Sequence, residues 1–371
     1  MDLRSDPRVV LTLDAGGTNL VFSAMQGDRE VVAPITLPAR GDDLSACLDN
    51  VVRGFAEARS KAPAPPAAIS FAFPGPADYP RGIIGDLGNL PGFRGGVALG
   101  PMLEDRFGIP TFINNDGDLF ALGEAIAGLL PHVNRLLEQA RSPLRYRNLF
   151  GATIGTGFGG GIVRDGRLFL GDSCVAAEIW LMRHKLERNT NAEEGVSIRA
   201  VRRAYADGAG ISAEGAPEPK EISAIARGDR PGHAEAAREA FRRLGEVAGD
   251  ALANAITLVD GLVVIGGGLS AAHELFLPAL VAEMNGPFSV PSGGEIPRLE
   301  MRVFNLEDPK DLSRFLTGET REIRVPGSAR TIAYDPLQRI GVGVSKLGTS
   351  KATAIGACAF ALSALDGGAA S

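Results

Sequence analysis

The stretch LTLDAGGTNLVFSAM, residues 11–25, places an acidic residue at the end of an apolar run, then two glycines, two small polar residues and a second apolar run. Runs of β-forming residues on both sides of a glycine turn predict two strands joined by that turn. The turn matches neither GxxxxGK[ST] nor GxGxxG, the glycine motifs that lead from a strand into a helix. It therefore predicts a β-turn-β unit, with Asp14 at the end of the first strand.

Length and composition limit the class of protein. A chain of 371 residues exceeds one ordinary core, which predicts about two domains. The hydrophobic fraction of 45% and the charged fraction of 22% are those of a globular protein. The net charge of -6, without a block of Lys and Arg, argues against a nucleic-acid partner, because phosphate backbones are bound by clustered cations.

Cysteine spacing and the N-terminal residues indicate where the protein is located. Cys47, Cys174 and Cys358 lie far apart and form no metal-ligand spacing, which predicts reduced thiols. The first residues, MDLRSDPRVVLTLD, are charged where a signal peptide needs a continuous apolar core. No run approaches the ~20 apolar residues of a membrane span. We therefore expect a cytoplasmic protein without membrane partners.

Strands and helices are predicted to alternate along the first third of the chain. After the quoted stretch, the predicted elements are a helix over 44–59, the strand AAISFAF at 67–73, the strand TFINN at 111–115 and a helix over 118–130. This β-α-β series is the pattern of an α/β domain.

The same pattern starts again in NLFGATIGTGFGGGIVRDG, residues 148–166, which is a second strand, glycine turn and strand. The elements predicted after it are helices over 194–207 and 233–257, a buried strand at 261–265 with a triple-glycine turn, and an apolar helix over 351–365. The recurrence suggests that the chain contains two similar halves.

The glycine turns are candidate phosphate sites, because glycine permits positive φ and lets a ligand approach several backbone N–H groups. The first is Gly16-Gly17-Thr18-Asn19 and the second is Gly155-Thr156-Gly157; together they predict a polyphosphate site. Asp14 beside the first turn is suited to Mg²⁺, which takes only one or two carboxylates and keeps several waters. The third turn, Gly266-Gly267-Gly268, ends a buried strand at a helix start, where a nucleoside can lie against backbone. The alternative for each is an ordinary hairpin turn, where glycine is common.

Asp116 directly follows the strand TFINN, at a loop that leads into a helix. A carboxylate held there can accept the proton of an attacking hydroxyl, and Asn115 can orient that hydroxyl. The alternative is that Asp116 and Asp118 cap the helix, since aspartate is favoured at that position. We assign the cap to Asp118 and catalysis to Asp116.

The order of these motifs resembles the ROK family of bacterial sugar kinases, repressors and open reading frames, within the actin-like/hexokinase ATPase superfamily. The motifs in chain order are DAGGTN at 14–19, PGP at 74–76, NLPGF at 89–93, Asn115-Asp116, the second glycine turn and GGG at 266–268. The resemblance implies an α/β fold of two actin-like, ribonuclease H-like domains around a cleft, with MgATP at the glycine turns and a sugar at the domain boundary.

The resemblance also implies domain boundaries. We expect a small domain made of residues 1–118 and 352–371, and a large domain made of residues 119–351. The segment from about 286 to 345 exceeds what the family has between its last nucleotide turn and its final helix, which suggests a β-rich insertion. The sequence does not show what this insertion does.

The resemblance assigns roles to the residues of the sugar site. Asp116 is the general base for the sugar hydroxyl and Asn115 is a sugar ligand, while Gly75 and Asn89 fall in loops that line the same pocket. Carboxylate and carboxamide oxygens accept hydrogen bonds from the hydroxyl groups of a sugar. A sugar that leaves one of these acceptors buried and unpaired binds less tightly.

Two glutamates complete the implied sugar site. Glu178 matches the first glutamate of the family's GExGH motif, and Glu193, four residues before Ser197, matches its second sugar-side glutamate. The alternative is that both are solvated surface groups.

Three features depart from the family's pattern. Leu181 stands where GExGH has its histidine, Trp180 replaces the preceding glycine, and His184 lies three residues further on. The family's cysteine-rich zinc motif is missing, since residues 185–192 read KLERNTNA, so no zinc site is expected. The sequence does not decide whether loss of the histidine affects catalysis.

The leading hypothesis is an ATP-dependent kinase that transfers a phosphoryl group to a hydroxyl of a hexose or related sugar. The alternative is a non-catalytic sugar sensor of the same family, which the altered segment AAEIWLMRH allows. Retention of Asp14, the glycine turns and Asp116 favours the enzyme. The sequence identifies neither the sugar nor the hydroxyl, and although dimers are usual in the family, no segment shows a homodimer interface.

Overall fold

The structure of the protein is a computed structural model and describes residues 3–16, 18–85 and 91–367. Strands and helices alternate along the chain, which confirms the predicted α/β class. The residues group into two units: unit 1 is made of Met1–Gly128, Gly161–Ala176 and Lys346–Ser371, and unit 2 of Leu129–Gly160 and Ala177–Ser345. The α-helices are α1 (Leu44–Lys61), α2 (Leu99–Phe107), α3 (Asp116–Ile126), α4 (Leu129–Gln139), α5 (Ile198–Ala209), α6 (Pro219–Arg227), α7 (Ala234–Val259), α8 (His273–Met284), α9 (Pro309–Thr317) and α10 (Thr349–Leu365).

Unit 1 is built on a mixed five-stranded sheet. The strands of this unit up to α3 are β1 (Val9–Ala15), β2 (Asn19–Gln26), β3 (Arg29–Pro38), β4 (Pro66–Ala72), the short pair β5 (Ala77–Asp78) and β6 (Ile83–Ile84), and β7 (Thr111–Asn114). The order across the sheet is β3-β2-β1-β4-β7. β1 and β2 pair antiparallel around the first glycine turn, which confirms the first β-turn-β unit. β4 and β7 run parallel to β1, so these three strands end at one edge.

Aromatic side chains form the core between this sheet and α1. Phe55 of α1 packs edge-to-face on Phe22 of β2, with ring centroids 5.0 Å apart, and against Phe71 of β4 at 5.7 Å. All three rings are fully buried. Such pairs add to the stabilisation from burial alone, so the strands that lead to the sheet edge are held rigidly.

Two glycines let α3 and α10 cross with their backbones in contact. A Cβ atom on Gly123 would collide with the carbonyl group of Ala352, and one on Gly356 would collide with that of Leu119. Because α3 packs on α10 along its length, unit 1 extends through α3 to residue 128, whereas the sequence places the boundary at 118.

Unit 2 contains most of a second, larger sheet. Its strands and the remaining hairpins are β8 (Leu149–Ile154), β9 (Phe158–Arg164), β10 (Arg167–Leu168), β11 (Leu262–Gly266), β12 (Pro287–Ser289), β13 (Glu295–Pro297), β14 (Arg302–Asn305), β15 (Arg321–Arg324), β16 (Thr331–Tyr334) and β17 (Arg339–Val344). The order is β10-β9-β8-β11-β17-β14, and residues from 161 onward in β9 and β10 group with unit 1. β8 and β9 flank the second glycine turn, as predicted.

Residues 286–345 do not form one separate lobe. β14 pairs parallel with β17, and β17 pairs parallel with β11. Two strands of this segment therefore belong to the larger, six-stranded sheet. The hairpins β12–β13 and β15–β16 and the helix α9 stand outside that sheet. Arg339 at the start of β17 is buried, and its guanidinium pairs with Asp335 at 2.6 Å and donates to the carbonyl of Phe315.

Two local features differ from the sequence prediction. The helix predicted over 118–130 is interrupted, because α3 ends at Ile126 and α4 begins at Leu129. α6 was not predicted, although Glu218 and Glu221 form a capping box at its start. Within the described ranges, every helix is too short or too polar to cross a lipid bilayer.

Candidate active site

Three parallel strands of unit 1 end level with one another. Asp14 on β1 is in register with Ala72 on β4, which is in register with Asn114 on β7. Neighbouring strands lie about 4.8 Å apart, so Asp14 and Asn114 are about 10 Å apart across the sheet edge. The segments that follow these strands carry the first glycine turn, Gly75 and Asp116. The register thus gathers Asp14, Gly75, Asn115 and Asp116 at one edge.

Asn115 and Asp116 share the N-terminus of α3. Asn115 is the N-cap, and its Oδ1 accepts a hydrogen bond from the Gly117 N–H at 2.7 Å. Asp116 Oδ1 accepts from the same N–H at 3.0 Å. The other polar atoms of the two side chains, Asn115 Nδ2 and Asp116 Oδ2, form no hydrogen bond with another residue in the described part of the chain. Both side chains can therefore bind a ligand without losing the cap.

The assignment of the helix cap to Asp118 is wrong. The N-cap is Asn115, three residues earlier, and Asp118 is a buried side chain within the first turn of α3. The carboxamide of Asn115 reaches Gly117 N–H because the backbone of Asn115 is extended, with φ −70° and ψ 147°. Asp116 is the first helical residue, so its carboxylate also lies at the positive end of the helix dipole.

The pKa of the Asp116 carboxyl is raised from its ordinary value of 3.8. Desolvation by the surrounding protein is the main cause, the charge of Asp14 adds to it, and the Gly117 N–H acts in the opposite direction. Asp116 is nevertheless an exposed residue, so a ligand can reach it. An accessible carboxylate whose pKa is moved toward neutrality suits a general base.

The first glycine turn is closed by its own backbone. The Gly16 N–H donates to the Asn19 carbonyl at 2.9 Å, and the Thr18 carbonyl accepts from the Ala39 N–H at 2.9 Å, just beyond the end of β3. Thr18 and Asn19 are exposed. Two predicted site residues, Gly17 of this turn and Asn89 of the NLPGF motif, lie outside the residues that the structure describes.

Asp14 is the charged group beside the first turn. Its side chain is exposed at the end of β1. Within the described ranges, no group of three or more His, Cys, Asp or Glu side chains is placed to hold a metal ion. A single exposed carboxylate fits Mg²⁺ bound through its own water shell, because this ion dehydrates reluctantly.

The second glycine turn offers unpaired backbone donors. The Gly155 N–H donates to the Gly157 carbonyl at 2.9 Å, which closes the turn. Among the described residues, nothing accepts a hydrogen bond from the N–H of Thr156 or Gly157. Successive free N–H groups in a turn form an anion-binding concavity. The backbone of this turn therefore suits a phosphate group.

Side chains and backbone near the start of α5 hold the second turn in place. The Ile198 N–H donates to the Gly155 carbonyl at 2.8 Å, and Arg199 Nη1 donates to the Thr156 carbonyl at 3.2 Å. The Phe158 N–H donates to Glu193 Oε2 at 3.0 Å. Glu193, a predicted sugar-side residue, thus contacts the glycine turn in this structure.

The third glycine turn lies beside the second within unit 2. Gly266 ends β11, directly across from Thr153 of β8. A Cβ atom on Gly155 would lie 3.8 Å from the Gly268 amide nitrogen. Gly267 has φ +86° and leaves no room for a side chain against Ile154. The backbones of the two turns therefore form one glycine-lined surface.

Glu178 precedes a short 3-10 helix, Ile179–Leu181. The Trp180 indole N–H donates a hydrogen bond to Glu178 Oε2. Glu178 and Trp180 are both partly exposed, and Leu181, which stands at the position of the family's histidine, is 58% exposed. The replacement of glycine by Trp180 thus gives Glu178 a fixed neighbour.

His184 is buried in unit 2. Its Nδ1 accepts from the N–H groups of Leu186 at 3.1 Å and Glu187 at 2.9 Å, so the proton of the neutral ring is on Nε2. Burial is the main cause that lowers the pKa of His184. The ring therefore organises the 184–187 turn, in the segment where the family's zinc motif is missing.

Arg199 contacts the second glycine turn and was not singled out in the sequence. It is the second residue of α5, at the positive end of the helix dipole, where a cation is unfavourable unless an anion compensates it. Arg199 Nη2 pairs with Glu193 Oε1 at 2.7 Å and with Glu194 Oε1 at 2.6 Å. The helix predicted over 194–207 places Arg199 in its second turn, whereas the observed helix begins at Ile198, so no sequence signal indicated these partners.

Two α/β units, each with a β-turn-β hairpin beside parallel strands, define the class of protein as the actin-like ATPase fold. The family model described as ROK family matches residues 10–289, and the chain belongs to the ROK family.

Individual relatives agree with this assignment. A solved glucokinase from Parabacteroides distasonis is 54% identical, with a TM-score of 0.88, over 98% of this chain and 99% of that one. An N-acetyl-D-glucosamine kinase from Aliivibrio fischeri is 30% identical over 297 residues, which are 77% of this chain and 91% of that protein. A ROK family glucokinase from Streptomyces griseus, solved with glucose and AMPPNP, shares the fold at 21% identity, with a TM-score of 0.58 over 94% of this chain and 98% of that one.

Proposed function

We propose that the protein is an ATP-dependent kinase that phosphorylates a hydroxyl group of a hexose. Its membership of the ROK family and its similarity to a glucokinase and an N-acetyl-D-glucosamine kinase support sugar phosphorylation. The observation that carries the proposal is Asp116, an accessible carboxylate with a raised pKa and an unoccupied oxygen at the N-terminus of α3.

Asp116 is the general base of the proposed reaction. As the sugar hydroxyl oxygen attacks the γ-phosphorus, its proton passes to the Asp116 carboxylate, a phosphorus–oxygen bond forms, and the bond to the leaving ADP oxygen breaks. The free Nδ2 of Asn115 donates a hydrogen bond to the attacking oxygen and so orients it. Positioning supplies most of the rate in this kind of transfer.

The glycine turns bind the nucleotide. The free N–H groups of Thr156 and Gly157 hold phosphate oxygens, and the surface of residues 266–268 takes the rest of the nucleotide. The first turn, residues 16–19, binds phosphate beside Asp14. Asp14 would hold hydrated Mg²⁺, which would supply positive charge to neutralise the phosphates.

Gly75, Asn89, Asn115, Asp116 and Glu178 remain the proposed sugar-side residues. The Trp180 indole fixes one oxygen of Glu178, so the other oxygen is available to accept from a sugar hydroxyl. We propose glucose as the substrate, because the 54% identical relative is named a glucokinase. N-acetylglucosamine is the second candidate, from the named activity of the 30% identical relative.

A coupled ADP-release assay with a panel of sugars tests this function. The panel contains glucose, mannose, fructose, N-acetylglucosamine and N-acetylmannosamine, each with ATP and Mg²⁺. We expect turnover of about 1–100 s⁻¹ with the preferred sugar, the usual range for kinases. ADP release with none of them, together with thermal stabilisation by one, would show a sugar sensor instead.

A further inference from the structure

The hairpin β15–β16 is held firmly at its base. Asp335, which directly follows β16, accepts hydrogen bonds from the Glu319 N–H at 3.1 Å and from the Leu337 N–H at 3.1 Å. The same carboxylate pairs with the buried guanidinium of Arg339 at 2.6 Å. Because Arg339 begins β17, the hairpin is fixed in position relative to a strand of the six-stranded sheet.

The two strands of this hairpin are nevertheless exposed along their whole length. On one face, Ile323 lies opposite Ile332 and next to Tyr334, and these three side chains are 37–45% exposed. An isolated two-stranded hairpin is marginally stable in water, whereas three or more strands with an apolar face can be stable. The hairpin therefore has the apolar face of a larger sheet but only two of its strands.

The outer edge of β15 presents backbone groups to which a further strand can bind. In the part of the chain that the structure describes, β15 pairs with β16 alone. Just beyond the two strands, the Val325 N–H donates to the Arg330 carbonyl at 2.9 Å. Backbone groups of antiparallel strands alternate in direction, so those of Ile323 also face β16. The backbone groups of Glu322 and Arg324 therefore point outward, at the free edge.

The charges along this edge are complementary to those of a second copy of the strand. Two copies of β15 related by a twofold axis run antiparallel, and their bonded backbone pairs join Glu322 or Arg324 of one copy to Glu322 or Arg324 of the other. A register that pairs either residue with its own counterpart brings like charges together. The register that pairs Glu322 with Arg324 forms two opposite-charge pairs and places Ile323 opposite Ile323, so charge selects this register.

Both charged side chains are available for such pairing. Among the described residues, nothing forms a hydrogen bond with the Glu322 carboxylate, and Arg324 uses only its Nε, which donates to the Ser328 carbonyl at 3.0 Å. The third charge of β15, Arg321, lies over the Tyr334 ring of its own hairpin. β16 has no charged residue, so its outer edge offers no comparable selection of register.

We propose that the outer edge of β15 is an interface between two copies of this chain, which pair antiparallel about Ile323 with Glu322 of each copy opposite Arg324 of the other. The two hairpins then form one four-stranded sheet, with Ile323, Ile332 and Tyr334 of both copies on the same face. The interface uses the same surface on both copies and closes at two chains. It is independent of the proposed kinase function, which does not use this hairpin.

Sedimentation velocity of the full chain over a series of concentrations tests the proposal, because it measures self-association directly. Glu322→Arg places arginines opposite each other, and Arg324→Glu does the same with glutamates. We expect each variant to raise the dimer dissociation constant about tenfold or more, since both charge pairs become repulsive. The matched control is Glu295→Arg on the exposed strand β13, which makes the same change in net charge and should alter association by less than about twofold.

A mixture of the two single variants is the sharper test. In a mixed dimer of Glu322→Arg with Arg324→Glu, the introduced arginine faces the introduced glutamate, and the native Arg324 faces the native Glu322. An equimolar mixture should therefore associate about as tightly as the wild-type protein, although each variant alone does not. A folding defect in either variant would not be repaired by mixing.

Two further measurements locate the contact. Glu322→Gln removes the attraction without adding repulsion, so its dissociation constant should lie between those of the wild-type protein and Glu322→Arg. Hydrogen exchange of the Glu322 and Arg324 amides should slow as the concentration of the wild-type protein rises, because these N–H groups become bonded across the interface.

Two results would overturn the proposal. A wild-type protein that stays monomeric at every concentration would mean that the edge charges keep other strands away. Association that Glu322→Arg changes no more than Glu295→Arg does, or that the mixture fails to restore, would place the contact between copies on another surface.

Discussion

The two glycine turns arise from the same strand-turn-strand pattern, yet they offer a ligand different chemistry. The first turn follows Asp14 and is fixed through the Thr18 carbonyl to the chain beyond β3. The second follows the apolar Ile154, leaves two N–H groups unpaired and is held by the segment before α5. One repeated motif thus supplies a carboxylate in one unit and free amides in the other. The difference comes from the segments that surround each turn.

The largest effect is expected at Asp116, at the sheet edge of unit 1 where β1, β4 and β7 end. Asp116→Asn removes the proton acceptor and keeps a side chain of the same shape, so kcat should fall about 10³-fold, within the range for general bases. AMPPNP affinity should stay close to that of the wild-type protein, because the second turn is untouched. Asp105→Asn, an exposed change on α2, is the control for steady-state assays. Full activity of Asp116→Asn would refute its role.

The pH dependence of kcat and of stability is a second test of the role of Asp116. Since the folded protein raises the pKa of this carboxyl above 3.8, the base is lost at a higher pH than an ordinary aspartate would be, and kcat should fall as pH decreases through that raised pKa. The fold favours the protonated form, so wild-type stability is lost as pH rises through the same pKa.

Asparagine does not ionise, so Asp116→Asn lacks this loss of stability with rising pH. Its Tm should therefore exceed that of the wild-type protein at pH 8, with the difference shrinking toward pH 4. Calorimetric Tm values at both pH values check this, and equal Tm values at pH 8 would contradict the raised pKa.

A smaller loss is expected at Asp14. Asp14→Asn removes the anionic group proposed to hold hydrated Mg²⁺, and outer-shell partners of a metal are typically worth about 10–100-fold in activity or metal affinity. Excess Mg²⁺ should restore much of the rate to Asp14→Asn and none to Asp116→Asn. Titration of activity with MgCl₂ distinguishes them, and an Asp14→Asn rate that does not respond to Mg²⁺ would exclude the proposed metal contact.

The amide-bearing turn of unit 2 should respond differently. Gly157→Ala puts a Cβ atom 2.7 Å from Glu193 Oε2 and so displaces the carboxylate or the turn. We expect KM for ATP to rise about fivefold, or roughly 1 kcal/mol, with kcat nearly unchanged. Gly215→Ala is the control, because its Cβ would meet no atom closer than 3.5 Å. A change in kcat alone would mean that the turn serves the chemical step instead of nucleotide binding.

The smallest effect concerns stability in unit 2. Because burial lowers the pKa of His184 below 6.5, its neutral ring stabilises the fold above pH 6.5, and this contribution is lost as pH falls through the lowered pKa. The free energy of unfolding in urea should therefore decrease more between pH 8 and pH 5 for the wild-type protein than for His184→Gln. Identical pH dependence in both proteins would exclude His184 as the cause.

Local patterns predicted much of this fold. The β-turn-β units at Asp14 and Gly155, the strand before Asn115 and the long C-terminal helix follow from apolar spacing and glycine position, which act within a few residues. The strands β14 and β17 were missed as sheet members because their partners lie elsewhere in the chain. Sequence composition indicates that such residues form strands, but it does not show which neighbouring strand each one pairs with.

The site was predicted unevenly for a similar reason. The position of Asp116 at the end of a strand was predicted because it directly follows the run TFINN. The role of Asn115 as the cap was missed because Asp118 is an equally good cap by residue type. Arg199 was missed because its partners, Thr156 and Glu193, are brought to it only by the fold. To predict contacts of this kind, one must know where α5 begins relative to the second glycine turn.

The glycine-mediated contact between α3 and α10 has a consequence for how the enzyme is made. Asp116 starts α3, and α3 packs along α10, which is translated after all of unit 2. The ribosome must therefore synthesise unit 2 before the helix that begins at Asp116 has its full support. Unit 2, which is nearly continuous in sequence, can fold earlier. Nucleotide-binding capacity would then mature on the nascent polypeptide ahead of phosphoryl transfer.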